Sequence, residues 1–150
     1  HMTVDADGPV CRCRNRGCLG TVTSEDYIVQ EYNMKSGGLD RELTLQDIVI
    51  LSNQGDDIAR QLLMQQANIL GIGIVNILNM FNPELIVIGG PLNQCTWNYL
   101  DIVLKKEYSM GLDVYRDNVN IKYTSLGSRS AIMGMANDIF ERKIFKPVEI

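Results

Sequence analysis

One histidine and three cysteines fall within the first eighteen residues, at His1, Cys11, Cys13 and Cys18. Three thiolates and an imidazole make a complete tetrahedral ligand set for zinc, and four protein ligands leave no open position for water. Such a closed site is structural, tying a loop of little apolar content to the fold. Cys11 and Cys13 are too close in sequence to pair comfortably with each other. Gly17, just before Cys18, lets the backbone turn sharply and bring the third thiolate round to the same centre, and Pro9 stiffens the approach. Four cysteines in an acidic chain with no recognisable secretory signal fit a reducing compartment, where clustered thiols more often bind metal than form disulfides. Two alternatives stay open on these residues alone. The loop could be a reduced, metal-free one, or the terminal His-Met pair could be a cloning scar, which would leave three ligands. Cys95, alone in Asn-Gln-Cys-Thr-Trp, reads as a small half-buried filler.

The elements that must position the cluster follow from capping signals and periodicity. Thr23-x-x-Asp26 reads as a capping box opening a helix over about 24–35, with Gly37-Gly38 as its stop. Thr44-x-x-Asp47 opens a short helix to about Ser52, and Gly55 follows as its C-terminal signal. Asp56 and Asp57 favour the start of the longest helix, to about Phe81, with Ile58, Leu62, Ile69, Gly73, Ile74, Ile77 and Phe81 near one face. Gly71 and Gly73 within it point to close packing against a neighbouring element. Leu85 to Ile88 is a continuous apolar run expected to be a strand buried on both faces. Gly89-Gly90 ends it, and a helix is expected from about Asn93 to Tyr108. A second strand is expected over about 118–125. Gly127-Ser128 then leads to a last helix over about 129–141 that carries Ile132, Met135, Ala136 and Ile139 on one side.

Composition narrows the class. The 150 residues are 45% hydrophobic with a net charge of −4, enough for one well-buried domain. Apolar runs such as 69–81 are interrupted by Asn76 and Asn79, which argues against a membrane span. The acidic balance argues against direct nucleic-acid binding. Arg12, Arg14 and Arg16 alternate with candidate ligands and are expected to face solvent rather than grip a nucleic-acid backbone.

Taken together, three stretches resemble the C-terminal half of the ROK family of repressors, open reading frames and sugar kinases. They are His1, Cys11, Cys13, Gly17 and Cys18 in their spacing, the passage from Asn79 to Gly90 through Asn82-Pro83-Glu84, and Gly55-Asp56 at the start of the long helix. The resemblance implies an α/β chain forming the C-terminal lobe of the actin-like, ribonuclease H-like ATPase fold, with a zinc-binding loop over about 1–22 and a body over about 23–150. It implies that His1 is the fourth zinc ligand and also helps orient a sugar. It implies as well that Gly89 and Gly90 lie on the adenosine side, should ATP and Mg²⁺ bind. The chain is then expected to be a fragment of a longer cytoplasmic, homodimeric protein. No catalytic residue falls within it, and any DNA contact is made by a domain upstream.

Two positions depart from the family pattern. Arg14 stands where the pattern has glycine after Cys-x-Cys, a change to the loop surface. Gly20 stands where sugar kinases of the family have a glutamate that hydrogen-bonds sugar hydroxyls, and losing such a charged bond costs about 1.5–3 kcal/mol. A repressor needs only differential effector binding between two states, whereas a kinase must hold the acceptor hydroxyl in line. The reading placed first is therefore a sugar-responsive repressor of carbohydrate metabolism. An ATP-dependent sugar kinase comes second, and a scaffold acting through protein contacts alone third.

Overall fold

The computed structural model of the protein describes residues 1–38, 42–110, 119–125 and 129–140. After an irregular loop, the described elements are α1 (Leu19–Val22), α2 (Glu25–Ser36), α3 (Leu45–Asn53), α4 (Asp57–Phe81), β1 (Leu85–Ile88), a 3₁₀ turn (Pro91–Gln94), α5 (Tyr99–Met110), β2 (Asn120–Tyr123) and α6 (Ser130–Phe140). The class is α/β, as expected. β1 and β2 pair in parallel, Leu85 opposite Asn120 and Ile88 opposite Tyr123. Parallel neighbours require a crossover, and α5 lies within it.

Side-chain caps set the helix starts. The Thr44 hydroxyl accepts from the Asp47 amide, and the Asp47 carboxylate accepts in return from the Thr44 amide at 2.9 Å, a reciprocal box at the start of α3. Asp56 caps α4 through Oδ1, which accepts from the Ala59 amide at 2.7 Å. The box expected at Thr23 does not form; a single side-chain cap one residue later takes its place. Ser24 is the cap of α2 and accepts from the Tyr27 amide, while the Thr23 hydroxyl donates to the Leu19 carbonyl of the preceding turn. Gly37 ends α2 at a φ of 85°, as its position in the sequence predicts.

α4 is the spine of the core. It packs on α5, α3, α2 and α1, and burying Ala59, Leu62, Leu63, Ala67, Ile74 and Leu78 supplies the apolar driving force. By length and composition alone α4 would cross a membrane, a reading the interrupted run at 69–81 did not predict. Half of its apolar window is buried inside the protein, as befits a core helix. Its inward face differs in part from the expected one. Phe81 is 70% exposed, because Asn82 turns left-handed and ends the helix there. Deeper in the core, the Tyr99 hydroxyl donates to the Gln66 side chain, satisfying two buried polar groups at once.

Two further expectations are corrected. β1 is buried on one face only, with Ile88 inside and Leu85 and Val87 more than half exposed; among the described residues nothing covers its second face. The helix expected from Asn93 begins at Tyr99 instead. Asn53 at the end of α3 holds the intervening segment in another shape: its Oδ1 accepts from the Thr96 amide and its Nδ2 donates to the Gln94 carbonyl. Trp97 Nε1 adds a bond to the Ser52 hydroxyl. These side-chain bonds outcompete helical pairing. The expected apolar side of α6 is open, with Ile132, Met135 and Ile139 exposed. Asn118, Gly127-Ser128 and Glu141, which the expected elements included, lie outside the described residues.

Asp56 joins two elements, because its Oδ2 also accepts from the Tyr32 hydroxyl at 3.0 Å. Asp56→Ala should cost about 1–2 kcal/mol, read as a lower urea midpoint at unchanged slope. Asp57→Ala, on an exposed neighbour in the same turn, should cost less than about 0.5 kcal/mol.

Candidate metal centre and the cleft beside it

The loop closes because two stretches of backbone cross at glycines. The Val4 amide donates to the Gly17 carbonyl at 2.9 Å, the Gly17 amide to the Pro9 carbonyl at 2.9 Å, and the Leu19 amide to the Met2 carbonyl at 2.7 Å. Thr3 faces Cys18 and Val10 faces Arg16 as antiparallel bridges. Gly17 sits at a φ of 57°, and a Cβ there would lie 1.5 Å from the Asp5 carbonyl oxygen. At Gly8 a Cβ would lie 2.8 Å from the Gly17 Cα. No side chain fits at the crossing.

The inner turn is built around Cys11. Its amide donates to the Asn15 carbonyl and its carbonyl accepts from the Arg14 amide, both at 2.8 Å. Arg14 completes this turn in the left-handed region, at a φ of 70°. The glycine that the resemblance implies at this position would thus serve the backbone and not only the loop surface. Side chains then tie the turn to the start of the chain: Asn15 Nδ2 donates to the Thr3 hydroxyl at 3.0 Å and Arg16 Nη1 to the Gly8 carbonyl at 3.3 Å. The loop docks on α4 through Leu19, whose side chain occupies the space a Cβ of Gly73 would take. The close packing expected at Gly73 is therefore made with α1.

Four donor atoms converge in this frame. One atom each of His1, Cys11, Cys13 and Cys18 lie within 4.8 Å of one another, and these residues could hold a metal ion. Cys11 Sγ is 3.4 Å from His1 Nδ1 and Cys13 Sγ is 3.6 Å from Cys18 Sγ. A tetrahedral ion bound at about 2.3 Å to sulfur and 2.0–2.1 Å to nitrogen sets its ligand atoms about 3.5–3.8 Å apart. These two separations are close to that geometry, and the full set, within 4.8 Å, could close on an ion. Cys11 and Cys18 are buried, whereas His1 and Cys13 are exposed.

The protein biases the thiols unequally. Cys11 is lowered to about 6, chiefly by the Cys13 backbone amide and then by the Thr21 hydroxyl. Burial pushes Cys18 up to about 11, and the two neighbouring sulfurs add to the rise. Thr21 had no signal in the sequence pattern; only the short helix after Cys18 brings it back to Cys11. Asp5 was equally silent, because its contact with Gly17 is long-range.

Beside the cluster lies a cleft of about 480 Å³, lined by His1, Cys11, Arg12, Gly20, Thr21 and Ser24. Gly20 is exposed, with nothing within 4 Å of where a Cβ would stand. Arg12, Arg14 and Arg16 are all exposed, as expected. Gly89 and Gly90 do not line this cleft; they follow β1, Gly90 at a φ of 90° with open space beside it. Cys95 is half-buried against the core, and burial raises its thiol to about 11, in keeping with a filler.

The model of the ROK family matches residues 1–141. The chain belongs to the ROK family. It is 29% identical to the xylose repressor of Bacillus spizizenii over 141 residues, covering 94% of this chain and 36% of that protein. The chain thus spans about a third of the length of this curated relative. Among solved structures, a ROK family transcriptional regulator described as a homolog of E. coli MLC protein superposes with a TM-score of 0.74 at 29% identity, covering 82% of this chain and 33% of that one. A ROK family glucokinase from Streptomyces griseus, solved with glucose and AMPPNP, superposes with a TM-score of 0.74 at 21% identity, covering 91% and 49%. ROK membership and these neighbours give the α/β chain an actin-like ATPase fold.

Three outcomes follow for the loop. Gly17→Ala should abolish metal retention, measured by elemental analysis after gel filtration, while Gly20→Ala retains it. Arg14→Gly should raise stability by roughly 0.5 kcal/mol, since relief of left-handed strain exceeds the added unfolded-state freedom. Metal binding at pH 7 should release at least one proton, because Cys18 is protonated below about 11 in the metal-free fold and binds metal as thiolate. Affinity therefore falls as pH is lowered, and calorimetry in buffers of differing ionisation enthalpy counts the protons.

Proposed function

We propose that the chain is the effector-binding and dimerising part of a ROK-type transcriptional repressor of carbohydrate metabolism, the C-terminal lobe of a longer protein. The observation that carries this reading is the cleft against the donor cluster. His1 and Cys11 belong to both, and Gly20 lines the cleft where the kinase pattern has glutamate. The ligand bound there is a sugar or sugar derivative, and His1 helps orient it. The relatives that are named repressors support the regulatory role.

The ion in the cluster is zinc, which favours a set of three sulfurs and one nitrogen. When bound, it supplies a fixed cross-link and no open coordination position. His1, Cys11, Cys13 and Cys18 hold it, and α1, which begins right after Cys18, passes the loop's position to α4 through Leu19 and Gly73. DNA contact belongs to another domain of the longer protein, in keeping with the net charge of −4 here. The protein acts in the cytoplasm as a homodimer.

The fold shared with the glucokinase supports a second reading, an ATP-dependent sugar kinase. In that case Gly89 and Gly90, whose turn leaves open space at Gly90, would approach the adenosine of bound ATP and Mg²⁺. On either reading the catalytic residues of a kinase would lie in another part of the longer protein.

The two readings separate in one set of measurements on the full-length protein. Repression predicts one zinc per chain, retarded migration of its own promoter fragment, and release of that fragment by a sugar. It also predicts no ADP formation with hexose and ATP. Gly20→Glu, which has room for its side chain, should change sugar affinity at least several-fold. Hexose-dependent ADP formation would sink the repressor reading, and unchanged sugar affinity would remove Gly20 from the site.

A further inference from the structure

The four donors of the loop fall into two unlike pairs. Cys11 Sγ lies against His1 Nδ1 at 3.4 Å, whereas Cys13 Sγ lies against Cys18 Sγ at 3.6 Å. Cys18 is fully buried and Cys13 is exposed, so one sulfur of the second pair meets solutes while the other stands behind it. A disulfide holds its sulfurs about 2.05 Å apart, an approach of roughly 1.5 Å from the observed contact. Cys13 is a central residue of the turn that the Arg14 amide closes on the Cys11 carbonyl. The bonds of the glycine crossing run instead between Val4 and Gly17, Gly17 and Pro9, and Leu19 and Met2. Drawing Cys13 toward Cys18 breaks none of those.

The sulfur electron pairs that bind a metal are the ones that react with an oxidant, so metal ligation and a sulfur–sulfur bond exclude each other. With hydrogen peroxide, the Cys13 sulfur attacks one peroxide oxygen and the O–O bond breaks. Hydroxide leaves and takes up a proton as water, and Cys13 becomes a sulfenic acid. The Cys18 sulfur then attacks Cys13 Sγ, the S–O bond breaks, and a second hydroxide leaves as water. The two sulfurs lose two electrons and the peroxide gains them. Where the sulfurs begin as metal-bound thiolates, both protons come from solvent. His1 and Cys11 are then the two donors left, too few for a closed tetrahedral site.

Building on the reading of the four donors as a metal centre, we propose that Cys13 and Cys18 form a peroxide-sensitive modification site, whose reversible disulfide takes the place of the bound metal. Cys13 is oxidised first and Cys18 is its partner. The test treats full-length, zinc-reconstituted protein with hydrogen peroxide. A chromogenic chelator follows released metal while samples are alkylated, digested with trypsin and mapped by mass spectrometry. Cleavage after Arg12, Arg14 and Arg16 puts Cys11, Cys13 and Cys18 on separate peptides, so the pairing is read directly. Metal should be lost in step with a link between the Cys13-Arg14 dipeptide and the peptide of residues 17–35, and dithiothreitol with added zinc should reverse both. In Cys18→Ser, Cys13 should accumulate as a sulfenic acid that dimedone traps. Two results overturn the proposal: a disulfide through Cys11, or metal retained with Cys13 and Cys18 both reduced once glutathione in the same tube is oxidised. If the reconstituted protein holds no metal, the metal reading and the exchange fail together, and the peptide map then decides the modification site by itself.

Discussion

The crossing of backbone at Gly17 is the constraint on which the candidate site depends. A Cβ at this position would fall 1.5 Å from the Asp5 carbonyl oxygen, well inside any permitted contact, and the φ of 57° is one that side chains rarely adopt. Because the crossing is bare, Cys18 can return to the start of the chain, where Thr3 bridges it. The same crossing brings the buried Cys18 close to Cys13 and, through the turn at Cys11, to His1. The donor set is thus a consequence of one close approach between main chains, and the side chains complete what the backbone arranges.

That loop would have little to hold it were it not seated on α4. Leu19 fills the space left by Gly73, and the Asn76 amide reaches the Met2 sulfur at 3.4 Å. A glycine inside a helix lowers its stability by up to about 1 kcal/mol relative to alanine. Here that cost coincides with a seat for α1. α4 in turn is pinned at its start by Asp56, which caps it and accepts from Tyr32 of α2. The cysteine loop is therefore seated directly on the helix around which the core is built.

What was legible in the sequence followed from local chemistry. The reciprocal cap at Thr44 and Asp47 and the cap at Asp56 depend on residues within a few positions of each other, and the structure has them where they were expected; the types and spacing of His1, Cys11, Cys13 and Cys18 pointed to a donor cluster, and the structure brings the four together. The misreadings share a cause. At Thr23 two neighbouring hydroxyls compete for the cap, and the sequence does not show that Thr23 is committed to the Leu19 carbonyl. The start of α5 is decided by Asn53, more than forty residues away. The open face of β1 depends on what is packed there, not on its own run of apolar residues. In the candidate site, the four clustered donors were legible while Thr21 and Asp5, whose contacts are long-range or depend on a return of the chain, were not.

Arg14 and Gly20 show how two departures from one pattern differ physically. Arg14 keeps the backbone shape that glycine would hold more cheaply, since its amide bond to the Cys11 carbonyl survives at a φ of 70°; the turn bears the strain and the donor set is preserved. Gly20 leaves the backbone unstrained and the space around it empty; the frame is unaffected and the chemistry of the cleft changes. One departure acts on conformation, the other on the lining of the cleft. Arg14 lies in the turn that frames the donor cluster and Gly20 in the wall of the cleft beside it, so the two departures fall on separable parts of the loop.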